Sequence, residues 1–263
     1  MPTVKINNID CYYEIHGQGR PLVLIAGLGS DSQSLEPALT EFAKQFKVIV
    51  FDNRGIGRTK YPQESFDISV MAQDVVGLID ELGLGKVDIL GHSMGGYIAQ
   101  EVAIKHPERI NKLVLASISA FTSERNKFLF TNMLRFLEEG IEYELFLREF
   151  FFWIFTPEFF NNNVNVDSAI KYLLDYPYPI TLDGFRRQVE AINKFTSLDR
   201  LDRVKAETLV IAGEKDILIT SEEAKVLSNK IVNVKLVFLE NAAHSIHMEE
   251  TESFVKCIID FLN

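Results

Sequence analysis

The order of apolar segments along the 263-residue chain constrains its fold more than any other feature. Two short strand-like runs, 3–7 and 11–15, form a predicted hairpin. Continuous apolar runs, typical of strands buried on both faces, then alternate with segments of helical spacing. These further predicted strands are 21–26, 47–51, 87–90, 113–116, 208–212 and 234–239. The alternation favours an α/β fold, with a mostly parallel central sheet flanked by helices.

The alternation is interrupted between about residue 119 and residue 200. This segment has helical stretches, breaks at prolines and no good buried strand. We therefore predict a core of residues 1–118 and 201–263, with 119–200 inserted after the sixth strand as a helical cap. The insert holds most of the 20 Phe and the single Trp. Phe151, Trp153 and Phe155 are candidates for the walls of a substrate pocket, although such aromatics can equally pack cap helices together.

Composition argues against several classes of function. The formal net charge is −10, which repels nucleic-acid phosphates and anionic membrane surfaces. No apolar stretch approaches the ~18 residues that a membrane span requires, and no secretory signal is visible, so we expect a cytoplasmic protein. Cys11 and Cys257 belong to no metal-ligand pattern, and we expect both to be buried. No metal and no cofactor is expected.

A serine lies at the centre of the pattern GHSMG, residues 91–95, directly after the predicted strand 87–90 and before a predicted helix. A sharp strand-to-helix turn strains its central residue and exposes that side chain. Glycines are needed on both sides because the chain passes too close for a Cβ. The helix that follows also contributes partial positive charge at its first turn. Ser93 is therefore the predicted nucleophile.

A serine hydroxyl is a weak nucleophile and needs a base. The chain has five histidines: His16, His92, His106, His244 and His247. His92 adjoins Ser93 in the chain, so its side chain should point away from that of the serine. We favour His244, in the loop after the last predicted strand, because sites in open α/β folds form at such strand ends. His247 remains the alternative base.

The base in turn needs a carboxylate to orient it. Asp216 follows the predicted strand 208–212 and is our candidate, whereas its neighbour Glu214 is the rival that we expect to face solvent. The preceding predicted strand, 113–116, is followed by Ser-Ile-Ser at 117–119, which contains no carboxylate. Two backbone N–H groups, those of Leu28 and Met94, are candidates for an oxyanion hole. Alternatively, the glycines around Leu28 form only a turn.

These segments together resemble the α/β-hydrolase superfamily, in the branch of small carboxylesterases, enol-lactonases and carbon–carbon bond hydrolases. The resemblance rests on LVLIAGLGSD (22–31), VFDNRGIGRT (50–59), ILGHSMGGYIAQ (89–100), LVIAGEKD (209–216) and NAAHSIHMEE (241–250). The order serine, aspartate, histidine also matches. The chain departs from the family where many members have His-Gly, because Ala26 precedes Gly27. Ser93 argues against the members that use an aspartate nucleophile.

The resemblance implies a serine hydrolase acting on a small molecule with an apolar acyl or aromatic group. We favour a small carboxylic ester as the substrate. The same three residues would also serve a lactonase, a thioesterase or a carbon–carbon bond hydrolase, and specificity would depend on the cap. A receptor that binds a small ligand without turnover is the alternative from a different class. The sequence gives no indication of the oligomeric state.

Overall fold

An eight-stranded sheet forms the centre of the computed structural model, which describes residues 2–263. The spatial order of the strands is β1-β2-β4-β3-β5-β6-β7-β8, and every pair from β4 to β8 is parallel. β1 and β2 form the predicted hairpin and pair antiparallel, as do β2 and β4. The mostly parallel sheet is therefore confirmed. The strands are β1 Thr3–Ile6, β2 Ile9–His16, β3 Arg20–Ile25, β4 Phe46–Phe51, β5 Val87–His92, β6 Ile110–Ala116, β7 Glu207–Gly213 and β8 Val234–Leu239.

The helices divide into those that cover the sheet and those inserted beyond it. They are α1 Glu36–Phe42, α2 Ile68–Glu81, α3 Met94–Lys105, α4 Glu124–Glu138, α5 Tyr143–Ile154, α6 Asn163–Leu174, α7 Leu182–Asn193, α8 Ser221–Ser228, α9 Ile246–Glu249 and α10 Thr251–Leu262. Within residues 2–263, no helix combines the length and the apolar composition needed to cross a membrane.

Each central strand contributes to two separate hydrophobic cores, because successive side chains point to opposite faces. In β3, Val23 and Ile25 pack with α2 and α3, whereas Leu22 and Leu24 pack with α1 and α10 on the other face. All four side chains are buried. Burial on both faces explains why the strands have continuous apolar runs and no alternation.

The helices α4 to α7 all lie between β6 and β7, where the sequence lacks strand-like runs. The two ends of this segment meet, since Phe121 and Thr196 form an isolated antiparallel bridge. The N–H of Ser197 also donates to the carbonyl of Ala120 at 2.8 Å. The segment thus leaves and re-enters the rest of the chain through two neighbouring strands of backbone, close to the predicted boundaries at 119 and 200. The division into core and cap stays a prediction.

The two cysteines differ in their surroundings. Cys11 is buried in the core, whereas Cys257 is only half-buried on α10. The expectation of burial is therefore wrong for Cys257. The reason is the position of Cys257 on the flank of an amphipathic surface helix, beside the fully buried Phe254 and Ile258.

Candidate active site

Ser93 occupies the turn between β5 and α3 with a strained backbone, at φ +52° and ψ −125°. Few non-glycine residues adopt a positive φ, and such strain persists only where the surrounding structure enforces it. The glycines on either side provide the space. A Cβ on Gly95 would lie 2.1 Å from the carbonyl oxygen of Ile25, and one on Gly91 would lie 2.3 Å from that of Gly95.

The three residues predicted to act together are in direct contact. Ser93 Oγ lies 2.8 Å from Nε2 of His244, and Nδ1 of the same ring lies 2.9 Å from Oδ2 of Asp216. Each residue comes from the loop that follows a different strand, namely β5, β7 and β8. His244 and Asp216 are almost fully buried, at 3% and 5% exposure. Water therefore competes little for these hydrogen bonds.

The backbone around Asp216 fixes the direction of its carboxylate. Oδ1 accepts the N–H groups of Leu218 and Ile219 at 2.8 and 2.9 Å, which leaves Oδ2 for His244. An acceptor at Nδ1 favours the tautomer that carries its proton there. Nε2 can then accept the proton of the Ser93 hydroxyl. The arrangement suits the activation of a serine nucleophile.

The rival residues lie elsewhere. Glu214 is exposed, as expected, and Asp216 alone of the two contacts the imidazole. His247 lies in the short helix α9, and its ring packs 4.5 Å from that of His92. The His92 side chain bonds the backbone carbonyl of His244 at 2.9 Å and makes no hydrogen bond to Ser93 within the described chain. In the sequence, only its position next to Ser93 indicates that His92 lies near the site.

Burial keeps the two additional imidazoles uncharged. It lowers the pKa of His247 to about 4, with a further contribution from nearby His244. It also lowers the pKa of His92 well below its ordinary value, and the neighbouring imidazoles add to the effect. Both rings are therefore neutral at neutral pH. Neither places a positive charge beside His244, where it would oppose protonation of that ring.

The loop after β3 lies directly against Ser93. A Cβ on Gly27 would be 3.2 Å from Cβ of Ser93. The N–H of Gly29 donates to Oε1 of Gln188 on α7 at 2.9 Å, so that group is occupied. The N–H groups of Leu28 and Met94 donate to no other group within residues 2–263. Both remain available to a developing oxyanion, and their role stays a prediction.

A cavity of about 310 Å³ opens beside Ser93 and His244. Phe151 and Phe155 line it, as expected, whereas Trp153 does not. The expectation for Trp153 is wrong because positions 151 and 155 share one face of α5 and its end, while 153 points away from that face. The Trp153 Nε1–H instead donates to Oε1 of Glu149 at 3.2 Å near the surface.

Other residues that line the cavity were not predicted from the sequence. They include Asp31, Tyr176, Ile180 and Phe185, which come from the loop after β3 and from the segment around α6 and α7. No group of three or more His, Cys, Asp or Glu within residues 2–263 is arranged to hold a metal ion.

The fold and the site together define a hydrolase. A family model described as alpha/beta hydrolase fold matches residues 20–251, and the chain belongs to that family. Among curated proteins, it is 26% identical over 261 residues to one from Azorhizobium caulinodans named "Putative carbamate hydrolase RutD", covering 99% of this chain and 98% of that protein.

Solved structures of similar proteins share the architecture across nearly the full length. A thermophilic esterase from Thermogutta terrifontis has a TM-score of 0.86 and 26% identity, with 99% of this chain and 96% of that chain covered. The enol-lactonase from Burkholderia xenovorans LB400 has a TM-score of 0.90 and 24% identity, with 99% of both chains covered. The similarity to the enol-lactonase shows that the two proteins share a fold.

Proposed function

We propose that the protein is a serine hydrolase that cleaves a small carboxylic ester through an acyl-enzyme. The observation that carries the proposal is the continuous hydrogen-bonded series from Ser93 through His244 to Asp216, with Ser93 facing a cavity. A small-ligand receptor would have no need of three such matched groups.

In the first half of the reaction, Ser93 Oγ attacks the carbonyl carbon while Nε2 of His244 takes its proton. The carbonyl oxygen becomes an oxyanion, which the N–H groups of Leu28 and Met94 stabilise. The bond to the alcohol oxygen then breaks, and His244 returns the proton to that oxygen. The acyl group is now an ester of Ser93.

In the second half, His244 takes a proton from a water molecule, and the resulting hydroxide attacks the acyl carbon. Collapse of this second oxyanion breaks the bond to Ser93 Oγ, which recovers its proton from His244. The carboxylic acid leaves. Asp216 stabilises the positively charged imidazole that forms in each half.

The cavity supports an ester with an apolar acyl or aromatic group. Its walls carry Phe151 and Phe155 from the predicted cap, and its volume of about 310 Å³ lies in the range of small-molecule sites. Carbamate, the substrate in the name of the similar curated proteins, has four heavy atoms and would leave most of this space unfilled. The similarity to an esterase at 26% identity agrees with an ester as the substrate.

Hydrolysis of 4-nitrophenyl esters from acetate to octanoate tests the proposal. We expect turnover by the wild type, with kcat lowered on the order of 10⁴-fold or more in Ser93→Ala and His244→Ala. His106→Ala is the matched control, since His106 lies at the end of α3, away from the cavity. Circular dichroism would establish that each variant is folded. Equal activity of wild type and Ser93→Ala would refute the mechanism.

The same assay, applied also to His247→Ala, separates the two candidate bases. Activity that survives in His244→Ala but not in His247→Ala would assign the base to His247. If the wild type turns over no ester, lactones, thioesters and diketones are the next substrates to assay. A wild type that binds a cavity-sized ligand but turns over none of these substrates would support the receptor alternative.

A further inference from the structure

The charges around the cavity are unbalanced. Its walls are largely apolar and aromatic, and Asp31 is the one carboxylate among the lining residues of the described chain. Within residues 2–263, no lysine or arginine lines the cavity. A substrate inside it therefore meets a single formal charge, and that charge is negative.

Asp31 is held where the loop after β3 meets the segment between α6 and α7. Its side chain is 6% exposed, and Oδ1 accepts the N–H of Gln33 at 3.0 Å. Oδ2 accepts the hydroxyl proton of Tyr176, which also lines the cavity. These donors stabilise the ionised carboxylate and fix its position. Asp31 cannot turn away from a bound ligand without losing them.

The nearest cation is occupied by other carboxylates. Arg58 Nη2 lies 3.3 Å from Oδ2 of Asp31, but its Nε and Nη2 also donate to Asp52 at 2.7 and 3.0 Å. Glu14 approaches the same guanidinium to 3.7 Å. One positive charge thus faces three negative charges, and this end of the cavity keeps a net negative charge.

Burial and the neighbouring charge of Asp52 raise the pKa of Asp31, whereas the hydrogen bond from Tyr176 and the positive charge of Arg58 lower it. Whatever the protonation state of Asp31, no lysine or arginine within residues 2–263 lines the cavity. An anionic group that enters the cavity loses hydration and finds no cation in the walls to replace it. An uncharged group avoids both penalties.

We propose that the site takes uncharged esters and excludes substrates that carry a carboxylate, and that Asp31 is the residue that determines this specificity. The inference rests on the proposed ester hydrolysis. It also narrows the alternatives, because lactones and diketones that carry a free carboxylate are excluded by the same charge. The acidic chain, at net charge −10, disfavours the approach of such anions as well.

Two matched pairs of esters test the proposal. In the first, 4-nitrophenyl hexanoate is compared with mono-4-nitrophenyl adipate, so that a carboxylate ends an acyl chain of equal length. In the second, methyl 4-acetoxybenzoate is compared with 4-acetoxybenzoate, so that the charge is on the leaving group. The readout is the ratio of kcat/KM for the anionic ester to that for the uncharged one.

We expect the wild type to hydrolyse the anionic partner at least about tenfold less efficiently in at least one pair. Asp31→Asn keeps the shape of the side chain and an oxygen that can accept the N–H of Gln33, but it removes the charge. It should raise that ratio about tenfold. If Asp31→Asn fails to fold, Asp31→Ser makes the same test, because it also removes the charge and its hydroxyl oxygen can still accept the N–H of Gln33. Its ratio should likewise rise about tenfold, and an unchanged ratio in folded Asp31→Ser would overturn the proposal.

Asp183→Asn is the matched control. It makes the same change in net charge on α7, but Asp183 does not line the cavity and pairs with Arg187. Its ratio should equal that of the wild type. Equal efficiency for both partners of both pairs, or an equal rise in Asp31→Asn and Asp183→Asn, would overturn the specificity proposal alone. If the wild type hydrolyses neither of the two uncharged esters, the proposed ester hydrolysis is wrong, and the specificity proposal is lost with it.

Discussion

Gln188 holds the loop that carries the predicted oxyanion donor Leu28. Its Oε1 accepts the N–H of Gly29 at 2.9 Å, and its Nε2 donates to the carbonyl of Arg54 at 2.9 Å. The side chain comes from α7 and is completely buried. It therefore links a helix of the predicted cap to two loops of the predicted core, one of which lies against Ser93. This contact gives the predicted cap a means to position the predicted oxyanion donor.

Replacing Gln188 with leucine should impair catalysis more than substrate binding. The variant leaves the half-buried N–H of Gly29 and the buried carbonyl of Arg54 without their partner, and the loss at the buried carbonyl costs roughly 1–3 kcal/mol of stability. We expect kcat to fall about tenfold, less than the 10²–10³ seen when an oxyanion donor is removed outright. KM should change little.

Affinity for a boronic acid that forms a tetrahedral adduct with Ser93 distinguishes positioning from a purely structural role. It should fall in parallel with kcat in Gln188→Leu. Arg186→Leu, on the exposed side of the same helix, is the control. An unchanged inhibitor affinity in folded Gln188→Leu would show that Gln188 does not position the oxyanion loop.

The turn around Ser93 should tolerate no side chain at Gly95. A Cβ there would lie 2.1 Å from a backbone oxygen of β3, which cannot move without disrupting the centre of the sheet. We expect Gly95→Ala to lose more than about 3 kcal/mol of unfolding free energy, or to fail to fold. Urea denaturation measures the difference.

Gly140→Ala provides the comparison for Gly95→Ala. Gly140 has a φ of +73° and open space around its Cβ position, so only the backbone strain is introduced. That strain costs about 1–2 kcal/mol. If the two variants lose equal stability, close packing around the turn at Ser93 is not the reason for its glycines.

Phe155 and Trp153 are separated by one residue but should behave differently. Phe155 lines the cavity and stacks on Phe159 with ring centroids 4.0 Å apart, whereas Trp153 lies outside the cavity. Phe155→Ala should shift the preferred acyl chain to a greater length and cost about 3 kcal/mol of stability or more. Trp153→Ala should leave the preferred length unchanged. A chain-length series with 4-nitrophenyl esters would reveal a common shift if this assignment is mistaken.

The sequence alone predicts the positions of Ser93, Asp216 and His244 because each lies in the segment that follows a predicted strand of the sheet. Parallel strands bring such loops to one edge of the sheet, and the contacts then need no further information. The error at Trp153 has a different origin. In the run FFFWIF every position is apolar, so the phase of the helix cannot be read from the pattern.

The contacts of Asp31 and Gln188 could not be predicted for a third reason. Asp31 bonds Tyr176, 145 positions away, and Gln188 bonds Gly29 across 159 positions. These pairs depend on how the segment between β6 and β7 lies over the sheet. Short-range periodicity carries no information about that placement, because it specifies which face of a helix is apolar but not what covers it.

The buried imidazole of His247 should make the protein less stable in mild acid. Its pKa is about 4 in the folded protein, where burial and His244 disfavour the charged form, against about 6.5 in an unfolded chain. Below pH 6.5 the unfolded chain therefore binds a proton that the folded protein refuses until about pH 4. Stability falls as the pH falls, by about 1.4 kcal/mol per unit in this window.

Unfolding free energies measured in urea from pH 8 to pH 5 check this prediction. Between pH 6.5 and 5, His247→Asn should lose about 2 kcal/mol less than the wild type, since it has no proton to bind at this position. His92, which faces His247 and is also buried and neutral, gives both proteins a further slope of the same sign. Parallel curves for wild type and His247→Asn would mean that the His247 ring is already protonated in the folded protein near pH 6.5, contrary to its apolar burial.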